Sequence, residues 1–277
     1  MADPSYYMRY PGFRNKAVTL SYDDGVAADA HLVEILDRYG LKCTFNINAG
    51  FFGEPMSNNR GRRMLREEME GLLLGSAHEI AAHGYKHKHL TALPSPQLFY
   101  EILRDKRELE EIAKRPILGM AYAMGDFDDR VIALLKKAGI GYARTVKSTR
   151  AFRTPIDFLS WHPTCHHNDP KLMELADAFV KNTSDNDRPL LFYLWGHSYE
   201  FNVDGNWDVI ERFAAFMGGR EELWYVTNGE LYAYMMAYRS LQFDAEGKTV
   251  YNPSAIDVYF CKDEKNICAL AGKTTKM

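Results

Sequence analysis

Cysteine is scarce in this sequence, and scattered. Cys43, Cys165, Cys261 and Cys268 are the only four in 277 residues, and no two form a C-x-x-C pair. That pattern excludes a disulfide framework and predicts reduced, partly buried thiols. Long apolar runs are missing as well. A stretch such as "LLFYLW" is far too short to span a bilayer. Charge of one sign is missing too: 34 Lys and Arg against 37 Asp and Glu leave a net charge of -3. With no basic stripe and no basic amphipathic segment, neither nucleic acid nor a membrane surface is an expected partner. The opening "MADPSYYMRYPGFRNK" lacks the apolar core of a secretory signal, so the expected location is the cytoplasm. Internal repeats and low-complexity segments are absent, and oligomeric state has no signature.

What is present is a recurring alternation. With 46% hydrophobic residues, the chain can bury one large domain, with or without a small appendage. Short runs rich in Val, Ile, Phe and Tyr fall at 17–22, 43–48, 79–84, 118–123, 141–146, 190–197 and 223–228. Helical patterns lie between most of them. "ADAHLVEILDRYG" puts Leu32, Ile35 and Leu36 on one face and closes at Gly40. "SPQLFYEILRDKRELEEIAKR" has Ser95 as its expected N-cap and Pro96 in the first turn, and "FDDRVIALLKKAGIG" starts near Asp128. A further helix, "NDPKLMELADAFVKN", is expected from Asn168 or Asp169. Strands followed by helices, with continuous apolar strands, predict a parallel sheet covered by helices. About seven such units favour an α/β barrel, incomplete or deformed, whose chemistry sits at the C-terminal ends of its strands. The barrel is expected over residues 1–240. Residues 241–277 alternate around "AEGK" and predict a small β-hairpin flap. The polar loop 50–64 reads as a lid or a solvated connection.

Two stretches carry chemistry. "AVTLSYDDG" ends a strand in Asp23 and Asp24, two like charges whose burial is costly without a partner. "HEIAAHGYKHKHL" ends another strand at His83, and a helical turn would put His87 on the same face. Asp24, His83 and His87 suit a divalent cation such as Zn, Co or Ni, with positions open to solvent. His78 precedes its strand and is expected to seat the loop, and His89 to pack near Leu90. Asp23 would then stand beside the ion, where a general base belongs. The loop "GHSYEFNVDGNW", with Tyr199, Glu200, Asn202, Asp204 and Trp207, is expected to face substrate. His162 or His166 is expected in the pocket, without a second zinc site in the 162–167 segment.

"LSYDDG", "HGYKH" and "LWGH", in that order, resemble the polysaccharide deacetylases with a NodB-homology domain, also called carbohydrate esterase family 4. The resemblance covers about residues 17–235. It implies a deformed (β/α)7 barrel and metal-dependent removal of acetyl groups from N- or O-acetylated carbohydrate. Asp23 would be the base, Asp24, His83 and His87 the metal ligands and His197 the general acid, and the backbone N–H of Met124 would help hold the oxyanion. Asp157 would tune His197, and Trp161 would wall the pocket. One departure is plain: Ala121 stands where the family has an arginine that orients the base. Arg144, near the end of the next strand, is the expected replacement. The alternatives are a C–N hydrolase of a non-sugar amide and an inactive, metal-dependent carbohydrate-binding protein.

Overall fold

The computed structural model describes residues 6–182 and 188–277. Strand β1 (Tyr6–Arg9) precedes the barrel, which runs through β2 (Lys16–Asp23), α1 (Asp29–Arg38), β3 (Cys43–Ile47), α2 (Arg66–Leu73) and β4 (Glu79–Ala82). It continues through α3 (Ser95–Ala113), β5 (Gly119–Ala121), α4 (Asp129–Lys137), β6 (Tyr142–Arg144), β7 (Cys165–His166) and α5 (Leu172–Lys181). It closes with β8 (Leu190–Gly196), α6 (Ser198–Asp204), α7 (Asp208–Met217), β9 (Leu223–Tyr225) and α8 (Asn228–Arg239). The parallel sheet runs β6-β5-β4-β3-β2-β8-β7, with β9 beside the start of β2. It curls into the expected deformed (β/α)7 barrel. Every strand expected from the sequence is present. The two-residue β7, too short to read from pattern, adds an eighth.

Strand β2 is buried on both sides, and its alternation is informative. Val18, Leu20 and Tyr22 pack outward with Leu32, Ile35 and Leu36 of α1 in the main apolar core. Thr19, Ser21 and Asp23 belong to the other set, which meets polar groups inside the barrel. Thr19 Oγ1 donates to Asn228 Oδ1 at 2.8 Å, and Asn46 Nδ2 donates to Ser21 Oγ at 2.8 Å. The barrel is nearly closed on its far side, where Trp161 N–H donates to the Ala143 carbonyl at 3.1 Å and Thr164 N–H to that of Tyr193 at 2.9 Å. Helix α4 starts as expected, with Asp128 accepting from Val131 N–H. Helix α3 has Pro94 at its cap and Ser95 as its first residue. Helix α5 begins at Leu172, three residues after Asp169.

The C-terminal region exceeds a hairpin. Strands β10 (Gln242–Phe243) and β11 (Thr249–Tyr251) form the expected hairpin around "AEGK", joined by β14 (Thr274–Lys276). Strands β12 (Val258–Lys262) and β13 (Lys265–Ala269) form a second hairpin, and β1 completes that sheet against β12. Residues 6–9 therefore sit with the C-terminal extension, across the boundary expected at 240. Among the described residues, no helix is long and apolar enough to cross a membrane.

Asp105 of α3 ties two site-bearing loops together. Its buried carboxylate accepts from Ala49 N–H at 2.7 Å and from His83 N–H at 2.9 Å. Burial pushes its pKa up to about 7 despite those bonds. Asp105→Ala strands the buried Ala49 N–H, at a cost of about 1–3 kcal/mol, while His83 N–H keeps the Ile47 carbonyl at 3.0 Å. The expected result is a loss of about 2 kcal/mol in chemical denaturation; an unchanged midpoint would refute the tie.

Candidate active site

The site lies at the C-terminal ends of β2, β4, β6 and β8. Alternation alone would send Asp23 and Asp24 to opposite faces. The chain avoids this by turning left-handed at Asp24 (φ 84°) and Gly25 (φ 60°), so both carboxylates meet His83. Asp is among the few side chains that tolerate this region. Asp24 Oδ1 lies 3.6 Å from His87 Nε2 and 3.9 Å from His83 Nε2, and one ligand atom from each of the three residues lies within 4.8 Å of the others. His87 reaches this position through a turn with φ 49°, not the helical turn expected from its spacing.

The tautomer of His83 suits a metal. Its Nδ1 lies 2.9 Å from the Ala121 carbonyl, which can only accept, so Nδ1 carries the proton. Nε2 is left with a free lone pair, is buried, and has no hydrogen-bond partner. An orphaned buried acceptor facing a carboxylate and a second imidazole fits a divalent cation. A second group, His166, His167 and Glu200, is as tight, but its tautomers differ. His166 Nδ1 accepts from Asn168 N–H at 3.1 Å, so in the neutral ring Nε2 carries the proton and faces Glu200 Oε2 at 3.2 Å. Glu200 Oε2 also lies 3.0 Å from His167 Nε2, and neither ring nitrogen of His167 makes a hydrogen bond among the described residues. Cys165 of the same segment is buried in the apolar core. His78 is fixed structurally: Nδ1 accepts from Cys43 N–H, and Nε2 faces Asp37 at 3.2 Å. His89 pairs with Asp126.

Asp23 is gripped from two sides. Asn46 Nδ2 donates to Oδ1 at 2.9 Å, and Arg144 Nη2 donates to Oδ2 in an ion pair buried on both sides. The guanidinium also stacks on Trp195, 4.3 Å from the ring centroid. Burial opposes ionisation, yet Arg144, His83 and His197 outweigh it and hold the Asp23 carboxyl below its usual range. Arg144 is the register partner of Ala121 on the neighbouring strand. The guanidinium thus enters from one strand over, at the same height along the barrel.

His197 follows β8, with Nε2 3.9 Å from Asp23 Oδ2. Its Nδ1 lies 3.1 Å from Glu200 Oε1. Burial pulls the imidazole pKa down, but Glu200, Asp23 and Asp24 outweigh it and raise it. The carboxylate on His197 is therefore Glu200. Asp157 instead caps the short turn Phe158–Ser160 by accepting from Leu159 N–H at 2.9 Å. Trp161 is 1% exposed, packed edge-on against Tyr142, Phe158 and Tyr193 in the barrel interior, and so offers no face to a sugar. The strand-like run that closes the barrel carries it inward. His162 is half-buried, with Nδ1 2.5 Å from Thr145 Oγ1. Tyr199 lies under the Arg60 guanidinium and beside the His197 ring. Met124 sits at the mouth of a cavity of about 300 Å3 that also touches Asp24 and His87, with its backbone at φ 58°. Sequence reading missed Asn46, Asp105 and Arg63, the last with Nη2 3.2 Å from Asp24 Oδ1. The run "NNRGRRM" showed the arginines but not that their loop folds back over the strand ends.

A curled parallel barrel with carboxylates and histidines converging at its strand ends places these groups where such folds carry their chemistry. Residues 11–143, or 133 of the 277, match the family model for polysaccharide deacetylases, so the resemblance carried by the motifs is borne out. No curated protein matches the sequence. Among solved structures, a Mycobacterium smegmatis protein assigned to the polysaccharide deacetylases superposes with a TM-score of 0.59 at 17% identity, over 84% of this chain and 94% of that one. A mutant of a Bacillus anthracis carbohydrate esterase family 4 pseudoenzyme, with restored enzymatic activity, gives 0.51 at 16% identity, over 82% and 70%. A Streptococcus pyogenes deacetylase solved with acetate gives 0.42 at 16% identity, and this chain spans 46% of its own length and 55% of that protein. At these identities the likeness to the first two establishes the fold alone.

Proposed function

We propose that this protein is a metal-dependent hydrolase that removes an acetyl group from an N- or O-acetylated carbohydrate. The observation that carries the reading is the meeting of Asp24, His83 and His87 around an unpartnered His83 Nε2, beside the gripped Asp23. Those three residues would hold the ion, with Zn the leading choice and Co or Ni compatible. Bound there, the ion supplies Lewis acidity that polarises the acyl carbonyl and acidifies water. Asp23, kept ionised by Arg144, takes the proton of the attacking water. The Met124 backbone N–H donates to the oxyanion. His197, its proton favoured by Glu200, protonates the departing amine or alkoxide. An amine leaves poorly without that proton, so His197 matters more for amides than for esters.

Ala121 is the feature that would favour an inactive binding protein. Arg144 weakens that reading, because it brings the guanidinium to Asp23 from the adjacent strand. Hydrolysis of a non-sugar amide would use the same residues. A panel of acetylated sugars, aryl acetates and cyclic amides, assayed with Zn, Co or Ni, separates the readings. Acetate release from a sugar supports deacetylation, and sugar binding without product refutes it. His83→Ala should weaken zinc binding by roughly 100-fold or more, since altering even an outer partner of a ligand costs about 10–100-fold. Full zinc occupancy, measured by elemental analysis after dialysis, would discard the ligand set.

A further inference from the structure

The loop between β3 and α2 brings positive charge to the site that the proposed chemistry does not use. Arg63 is 11% exposed at its side chain, and its Nε is buried without a hydrogen-bond partner. Among the described residues its one ion pair is with Asp24, the carboxylate also read as a metal ligand. Arg60 makes no ion pair among the described residues and lies over the Tyr199 ring at 5.0 Å. Both arginines line the cavity of about 300 Å3 that opens onto Asp24 and His87, with Phe51 and Ser57 on its wall. Phe51 is itself flanked by cations: Arg63 lies 5.3 Å and Lys86 4.7 Å from its centroid. The only acidic groups lining that cavity are Asp24 and Glu54.

The charge balance decides what this cavity takes. With Asp24 committed to a divalent ion, Arg63 loses its counter-charge to a stronger competitor. Arg60, Arg63 and the ion then exceed Asp24 and Glu54 by two positive charges in a half-enclosed space. Buried or half-buried cations in excess are stabilised by an anion that comes with the ligand. Arginine forks are suited to carboxylate and phosphate groups.

We infer that the acyl-bearing sugar carries an anionic group, which Arg63 and Arg60 hold beside the metal ligands. This rests on the hydrolase reading and names its substrate class as acidic acylated sugars. The test is titration calorimetry on the zinc-loaded Asp23→Asn protein, so that the ligand is not consumed. Three probes are compared: N-acetylglucosamine, an N-acetylhexosaminuronic acid and N-acetylglucosamine 6-phosphate. The expected result is at least tenfold tighter binding of one charged sugar than of the neutral one, with the tighter of the two identifying carboxylate or phosphate. Arg60→Gln, on an exposed loop position where folding is not at stake, should remove most of that preference. Arg63→Gln should remove it as well, with zinc content measured in parallel. The preference should shrink between about 50 and 500 mM salt as screening grows. Equal affinity for all three probes, or a preference that survives both substitutions, overturns the inference. Failure of the hydrolase reading appears differently: the unmutated enzyme would form no acetate from any probe, whatever their affinities.

Discussion

Asp23→Asn should leave zinc content close to the parent value while acetate release falls about 10²–10⁴-fold, the span typical of a lost general base. The side chain keeps its shape. Arg144 would still have an oxygen to donate to, but its buried charge would lose its counter-ion and the Asn46 Nδ2 donor would meet the new NH2 group, so some stability is lost with the activity. What disappears is the ability to take a proton from water. Because Asp24, His83 and His87 are untouched, the ion should stay. Unchanged turnover would remove Asp23 from the chemistry, and coupled loss of zinc would make it a ligand.

Arg144→Leu should be the most damaging single change in the barrel. Arg144 is fully buried and its partner Asp23 is 2% exposed. Deleting one member of such a pair leaves an uncompensated charge, which costs about 3–5 kcal/mol. Chemical denaturation should register that loss, and turnover should fall with it as the Asp23 carboxyl is freed to bind a proton. Lysine should rescue poorly, since a point charge cannot reproduce the fork or the stacking on Trp195. The sharper experiment moves the guanidinium home. Ala121→Arg in an Arg144→Ala background moves it to the strand where the resemblance places an arginine, and partial recovery of both stability and turnover is expected. A stable, active Arg144→Leu protein would refute the electrostatic role.

The barrel was legible because each of its longer strands is a continuous apolar run bounded by a helical period, a pattern with few other solutions. The metal group and Asp23 were legible because strand ends are marked in the chain, and Arg144 because the missing arginine at 121 demanded a substitute. Trp161 misled because an aromatic near a sugar site reads as a wall, whereas the run 161–166 actually closes the barrel and turns the indole inward. Asp157 misled because the resemblance points to an acidic residue in that stretch, whereas Glu200, one helical turn after His197, is the carboxylate that meets the imidazole. Asn46, Asp105 and Arg63 had no local signal. Their roles arise from β3, α3 and a long loop meeting the same point in space. Strand β1 was invisible because its partner β12 lies some 250 residues away.

The pairing of β2 bears on how fast this protein acquires its structure. The strand that carries Asp23 lies inside the sheet, yet two of its neighbours, β8 and β9, are synthesised about 174 and 207 residues later. Parallel pairing over such separations is slow, because chain-closure entropy is spent before the contacts form. A ribosome-bound chain stopped before residue 190 would present β2 with one open edge. Refolding should accordingly be sluggish and sensitive to protein concentration, with that edge as the place where aggregation begins.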